Sequence, residues 1–129
     1  MKYLLDTQAF LWFALDDPRL TTKARLLIED LANQILVSPA SYWEIAIKMS
    51  VGKYSLSIPH DTFFENAFSD HNFTILHIFP KHTNKLLTLP HHHEDPFDRL
   101  IISQALYEGL ETISSDTAFD LYPIQRIWS

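Results

Sequence analysis

Four carboxylates stand where an α/β chain places its chemistry: Asp6, Glu44, Asp98 and Asp116. Asp6 ends the apolar run Lys2 to Leu5, and Asp116 follows the short run Thr112 to Ser114. Asp98 lies in Asp95-Pro96-Phe97-Asp98, and Glu44 sits among large apolar side chains in Tyr42 to Lys48. Each has an ordinary structural reading. Asp6 can cap a helix starting at Thr7, and Glu44 can pair with Lys48 one turn on. Pro96 at the first helical position makes Asp95 the natural cap and puts Asp98 in the first turn, complementing the helix dipole. Asp116 can cap a short helix over Thr117 to Leu121, with Asp120 as a decoy. If the four converge, their mutual repulsion calls for a cation. An all-oxygen donor set suits Mg²⁺ or Mn²⁺ rather than Zn²⁺. Such a centre activates water and stabilises a phosphodiester during in-line displacement.

The pattern around these residues predicts the elements that position them. Lys2 to Leu5 reads as a buried strand and Thr7 to Leu15 as a helix, broken by Asp16-Asp17-Pro18. Ala24, Leu27, Ile28 and Leu31 fall at helical spacing, with Thr21 or Thr22 as cap. Ile35 to Val37 is the next strand. Ser38 then precedes Pro39, a cap followed by proline, and the helix it opens carries Tyr42 to Met49 and stops near Gly52. Phe63, Phe64, Ala67 and Phe68 mark a further helical face, Phe73 to Ile78 is strand-like, and Pro80 to Leu89 suggests a short helix. The helix opened by Asp95-Pro96 buries Phe97, Leu100, Ile101 and Ala105 and stops at Gly109. Thr112 to Ser114 and Ile124 to Trp128 are the last strands. Alternating strands and helices predict a mainly parallel sheet with helices on both faces. Ligands in such sheets bind at the carboxyl ends of the strands.

At 129 residues the chain has the length of one ordinary domain, 1–129, and 47% hydrophobic with 20% charged residues is a globular composition. There is no cysteine, which excludes disulfides and thiolate metal sites and fits a cytoplasmic protein. Asp6 and Gln8 interrupt the apolar N-terminus before it resembles a signal peptide, and no run reaches a membrane span. The net charge of −6 argues against simple polyanion binding. It is tolerable where carboxylates hold cations that reverse the local field. The two glycines, Gly52 and Gly109, provide no glycine-rich phosphate loop.

Together the motifs resemble those of VapC-type PIN-domain ribonucleases. Leu4-Leu5-Asp6-Thr7 with Leu11-Trp12 is similar to the first acidic motif, and Ser41 to Lys48 with Gly52-Lys53 to the second. Leu89-Pro90, His93 and Asp95-Pro96-Phe97-Asp98-Arg99-Leu100 resemble the third and most specific segment. Ser114-Ser115-Asp116 with Phe119 and Tyr122 resembles the fourth. The order and spacing match along nearly the whole chain. The resemblance implies a PIN-like three-layer α/β/α sandwich and a Mg²⁺-dependent endoribonuclease, the toxin of a toxin–antitoxin pair. It makes Asp6, Glu44, Asp98 and Asp116 the catalytic and metal-binding acids. Asp6 and Asp98 are then the principal ligands, and Ser114 keeps a hydroxyl where threonine is common. It further implies an RNA substrate, a homodimer, a small antitoxin inserted into the active-site groove, and operator DNA bound only through the antitoxin complex.

Other residues have weaker claims. Arg99, Lys48 and Lys53 are the basic residues expected nearest the site, to contact RNA phosphates or pair with the acids. Asp95 is a second-choice ligand behind its capping role. His91, His92 and His93 point in different directions and cannot serve one ion together. Packing or loop hydrogen bonding is the expectation for His93, and zinc binding lacks its usual partners. Trp12, Trp43, Phe10 and Phe13 are read as core or as a partner groove. A phosphotransferase of the haloacid dehalogenase type would need an aspartate where Gln8 stands. A receiver domain would need an acidic pair that is missing. The remaining alternative is a catalytically silent PIN module that binds a partner; Mg²⁺ binding without cleavage of any RNA would favour it.

Overall fold

The first apolar run does become a strand, and it sits at the centre of the sheet. In the computed structural model, which describes residues 1–129, β1 (Lys2–Leu5) pairs in parallel with β2 (Gln34–Val37) on one side and β4 (Glu111–Ile113) on the other. Strands β3 (Thr74–Ile75) and β5 (Arg126–Ile127) add to the two edges, also in parallel, giving the order β3-β2-β1-β4-β5. Crossovers between parallel strands place helices on both faces. These are α1 (Thr7–Ala14), α2 (Thr22–Glu29), α3 (Pro39–Ser50), α4 (His60–His71), α5 (Pro80–Leu86) and α6 (Pro96–Glu108).

Strand alternation sorts the core into two layers. Tyr3, Leu5, Ile35 and Val37 join Phe10, Ala24, Ile45, Phe63 and Phe64 on one side of the sheet. Leu4 and Leu36 join Ala40, Ile101, Ile102, Ala105, Phe119 and Tyr122 on the other. Phe10 anchors the first layer, fully buried and stacked on Phe64 with ring centroids 5.2 Å apart. A sheet covered on both faces makes the three-layer sandwich.

The capping signals hold in detail. Ser38 Oγ accepts from Ala40 N, Thr21 Oγ1 accepts from Ala24 N, and Asp95 accepts from Phe97 N and Asp98 N. Gly109 ends α6 with φ +67°, the left-handed conformation that favours glycine.

Several boundaries differ from the sequence pattern, among them β5, which keeps only Arg126–Ile127 of Ile124 to Trp128, and α5, which ends at Leu86 and not Leu89. Leu31, read as part of the second apolar stripe, lies beyond α2 and is 92% exposed. Asp30 stops that helix, and its side chain accepts from Ala32 N to start the turn toward β2. Phe73 to Ile78 supplies only two strand residues, because β3 is an edge strand and Leu76 and Ile78 leave it to pack beside α6. Strand β4 ends at Ile113, which frees the Ser114 side chain for the site.

Candidate active site

The carboxyl ends of β1 and β4 meet the N-termini of α1 and α6 and the flank of α3. Asp6, Glu44, Asp98 and Asp116 all line one cleft of about 290 Å³ there, with Thr7, Gln8, Lys48, Tyr54, Asp95 and Ser115 among the other lining residues. Asp6 is buried and occupied at both oxygens. Oδ1 accepts from Ala9 N at 2.8 Å, capping α1, and Oδ2 accepts from Ser114 Oγ at 2.5 Å. The capping and site readings of Asp6 are therefore compatible, one on each oxygen. Ser114 Oγ also accepts from Asp116 N at 3.0 Å, so one serine ties the first acid to the backbone of the fourth.

Glu44 is 5% exposed on α3. Its Oε2 accepts from Lys48 Nζ at 2.8 Å, while its Oε1 is buried with no hydrogen-bond partner. An orphaned carboxylate oxygen at a cleft of acids is costly unless a cation completes it. Crowding also shows in protonation. Burial pushes Asp6 up to about 6, and Asp116 and Glu44 add to the shift, against the hydrogen bonds from Ser114 and Ala9. Burial, then the charges of Asp95, Asp6 and Glu44, push Asp98 up to about 7, with His93 opposing. The partnership with Glu44 holds the Lys48 ammonium above its ordinary range. An all-oxygen set with an unsatisfied member and resisted charges fits a hard divalent cation.

His93 belongs to this cluster, beyond the loop role expected for it. Its Nε2 lies 2.9 Å from Asp116 Oδ2 and 3.1 Å from Asp98 Oδ2. These three side chains have ligand atoms within 4.8 Å of one another, close enough to hold an ion. Chemistry argues for a different role. Nδ1 accepts the Asp95 backbone N–H at 3.1 Å, so the ring proton sits on Nε2 and is donated to the two carboxylates. A metal at Nε2 would need the other tautomer and would break the Asp95 bond. His93 thus acts as a donor that holds Asp98 and Asp116 together.

A second layer fixes His93. The Tyr122 hydroxyl accepts from His92 N at 3.1 Å and His93 N at 3.0 Å and donates to Pro90 O at 2.8 Å. Arg99 Nη1 donates to Pro90 O at 2.9 Å and to the Tyr122 hydroxyl at 3.3 Å. Arg99 therefore lies outside the acid cleft and pairs with none of the acids, contrary to one of its expected roles, because α6 turns it toward the loop that precedes the helix. Lys48 does pair with an acid, and Asp95 lines the cleft while capping α6. The sequence carried a signal for His93 in its place just before Asp95-Pro96. Pro90, Arg99 and Tyr122 stand in the motifs quoted above, but their spacing gives no sign that they meet in one network, which spans about 30 residues of chain.

Comparison with known proteins decides the family. The sequence matches the PIN domain family over residues 3–124. This chain belongs to that family. PIN domains are generally nucleases, which supports a hydrolase acting on nucleic acid. No curated protein sequence matches the chain. Among solved structures, this PIN domain is similar to VapBC2 from Rickettsia felis bound to a promoter DNA fragment. That likeness has a TM-score of 0.74 and 20% identity and covers 100% of both chains. It is also similar to DNA-bound VapBC from Salmonella typhimurium, with a TM-score of 0.70 and 15% identity over 98% of this chain and 97% of that one. A toxin–antitoxin complex from Klebsiella pneumoniae follows at a TM-score of 0.66 and 17% identity, covering 97% and 95%. At these identities the likeness establishes the fold.

Proposed function

We propose that this PIN domain is a Mg²⁺-dependent endoribonuclease and the toxin of a VapBC-type toxin–antitoxin pair. The observation that carries the reading is the convergence of Asp6, Glu44, Asp98 and Asp116 on one cleft, with Glu44 Oε1 buried and unsatisfied. Asp6 and Asp98 are the principal ligands, and Glu44 and Asp116 assist directly or through water. Bound there, Mg²⁺ (or Mn²⁺) would supply Lewis acidity toward a non-bridging phosphodiester oxygen and would lower the pKa of a water, whose hydroxide could attack the phosphorus in line as the opposite ester oxygen leaves.

The chain's own residues do the positioning. Ser114 holds Asp6 by Oδ2, and the start of α1 holds it by Oδ1, so its carboxylate cannot swing. His93 holds Asp98 and Asp116 from the opposite wall. Lys48 gives Glu44 one of its three ammonium protons and stays half-exposed at the rim, where the others can meet a phosphate. The matched folds come from VapBC and related complexes, which supports a small antitoxin as partner and operator DNA bound through it. Trp43 (57% exposed) and Ile47 on α3, with Val51 just past its end, form an apolar strip beside the cleft, suited to an antitoxin helix. A homodimer in the cytoplasm completes the proposal.

Induced expression of wild type beside Asp6→Ala, with growth and total-RNA cleavage sites read together, tests it. Growth arrest with discrete cuts, both lost in the variant, is the expected result. Folded wild-type protein that binds Mg²⁺ yet cuts no cellular RNA would replace the enzyme by a partner-binding PIN module.

A further inference from the structure

A second cavity lies behind the His93 wall. It measures about 420 Å³ and is lined by Leu86, His91, His93, Glu94, Pro96 and Arg99. That size falls within the roughly 300–1,000 Å³ typical of small-ligand sites. Its notable member is Arg99, which is only 7% exposed yet takes part in none of the chain's ion pairs. A buried guanidinium is ordinarily matched by an anion. Arg99 has neutral acceptors only: Nη1 reaches Pro90 O and the Tyr122 hydroxyl, and Nη2 reaches Leu89 O at 3.5 Å. Those bonds occupy Nη1 and one of the two Nη2 protons. Nε and the second Nη2 proton, the pair that grips a phosphate or carboxylate side-on, have no partner in the protein.

The surroundings narrow the ligand. His93 has both ring nitrogens engaged and offers the cavity only ring surface. Leu86 and Pro96 add apolar surface, and exposed His91 adds a further ring. One charged fork beside flat and apolar surface suits a nucleotide: phosphate on Arg99, sugar and base against the rest. Glu94 is the one anion on the lining, and it is exposed. His93 lines this cavity while its Nε2 contacts Asp98 and Asp116 of the acid cleft, and the first turn of α6 gives Pro96 to the one and Asp98 to the other, so the two are neighbours.

We infer that the cavity behind His93 is a nucleotide subsite in which the Nε/Nη2 edge of Arg99 binds a backbone phosphate of single-stranded RNA next to the one in the acid cleft. The inference rests on the ribonuclease reading for the nature of the strand, but its binding test does not need catalysis.

The probe is a fluorescent hexanucleotide RNA titrated onto the protein in EDTA, with a parallel Mg²⁺ cleavage assay. Arg99→Lys keeps the charge but loses the fork, and it weakens binding about tenfold, the scale of one charge-assisted hydrogen bond. Arg99 is buried, so two surface variants guard against misfolding. His91→Ala weakens binding severalfold. Glu94→Lys tightens it and steepens the log Kd against log salt slope by about one. With Mg²⁺, the Arg99 and His91 variants raise KM more than they lower kcat. Wild type that binds no RNA in EDTA, or surface variants that leave Kd and salt slope unchanged, overturns the subsite. Cleavage by wild type with KM unmoved in every variant removes the subsite and leaves the nuclease standing. RNA binding with these shifts but no cleavage does the reverse.

Discussion

At the scale of single residues, the site is a set of charges held together against their own repulsion. The carboxyls of Asp6 and Asp98, pushed up to about 6 and about 7 from 3.8, hold protons that the unfolded chain has released. Their contribution to stability is therefore fully present below the unfolded value and is lost as pH rises through the folded values. Metal-free protein should melt lower at pH 8 than at pH 5, and thermal scans in EDTA measure this. Asp98→Asn should raise metal-free stability at pH 8 by about 1–3 kcal/mol, at about 1.4 kcal/mol per pKa unit. A melting point that is flat or rising between pH 5 and pH 8 contradicts this picture of buried, crowded acids. His93 gives a second expectation. Its alanine variant should lose about 10–100-fold in Mn²⁺ affinity, as measured by calorimetry, the usual effect of removing a residue that orients ligands. His93→Gln, which retains an N–H donor, should recover most of that loss. Equal Mn²⁺ affinity in wild type and His93→Ala would mean that the histidine merely packs.

At the scale of elements, α6 separates stability from function. Asp95 caps its N-terminus and Gly109 ends it in the left-handed conformation. Asp95→Ala should cost about 1 kcal/mol and should also loosen Asp98, one turn along. Gly109→Ala should cost a similar amount, about 1 kcal/mol, through its positive φ alone, since nothing lies within 4 Å of an added Cβ. Urea unfolding should score the two alike, while Mg²⁺ binding should fall only in the Asp95 variant. Reduced metal affinity in both would show that the whole helix, and not its first turn, sets the site. The same helix shows what a sequence makes legible. Asp95-Pro96 and Gly109 are local signals whose meaning is settled within a turn, so the element and its acids could be read directly. Leu31 fell outside its helix because Asp30 turned the chain, a local competition that the apolar spacing did not register. His93, Tyr122 and the free edge of Arg99 depend on which distant segments meet. Spacing along a chain carries no trace of a hydroxyl that gathers His92, His93, Pro90 and Arg99.

For the molecule as a whole, metal binding and folding are one equilibrium. Mg²⁺ at a hundred times its Kd should add about 2.7 kcal/mol to the stability of wild type. EDTA should remove that gain, and Asp6→Ala should never show it. A gain of equal size in Asp6→Ala, measured by thermal melting, would place the bound ion elsewhere. The net charge of −6 makes the metal-free protein a poor host for RNA at large, so binding in EDTA must come from a localised cation such as Arg99.

The strand order gives the chain a built-in delay. Strand β1 is made first, yet one of its two neighbours is β4, and Asp6 finds its hydrogen-bond donor in Ser114, 108 residues later. A ribosome elongating at roughly 5–20 residues per second needs several seconds to cover that distance. Throughout that interval the growing chain has Asp6 but neither Ser114 nor Asp116, and the central strand has an open edge. A nuclease built this way has no assembled centre while most of it is still being translated. On the proposed ribonuclease reading, the message that encodes it stays out of its reach until the fourth acid has been added.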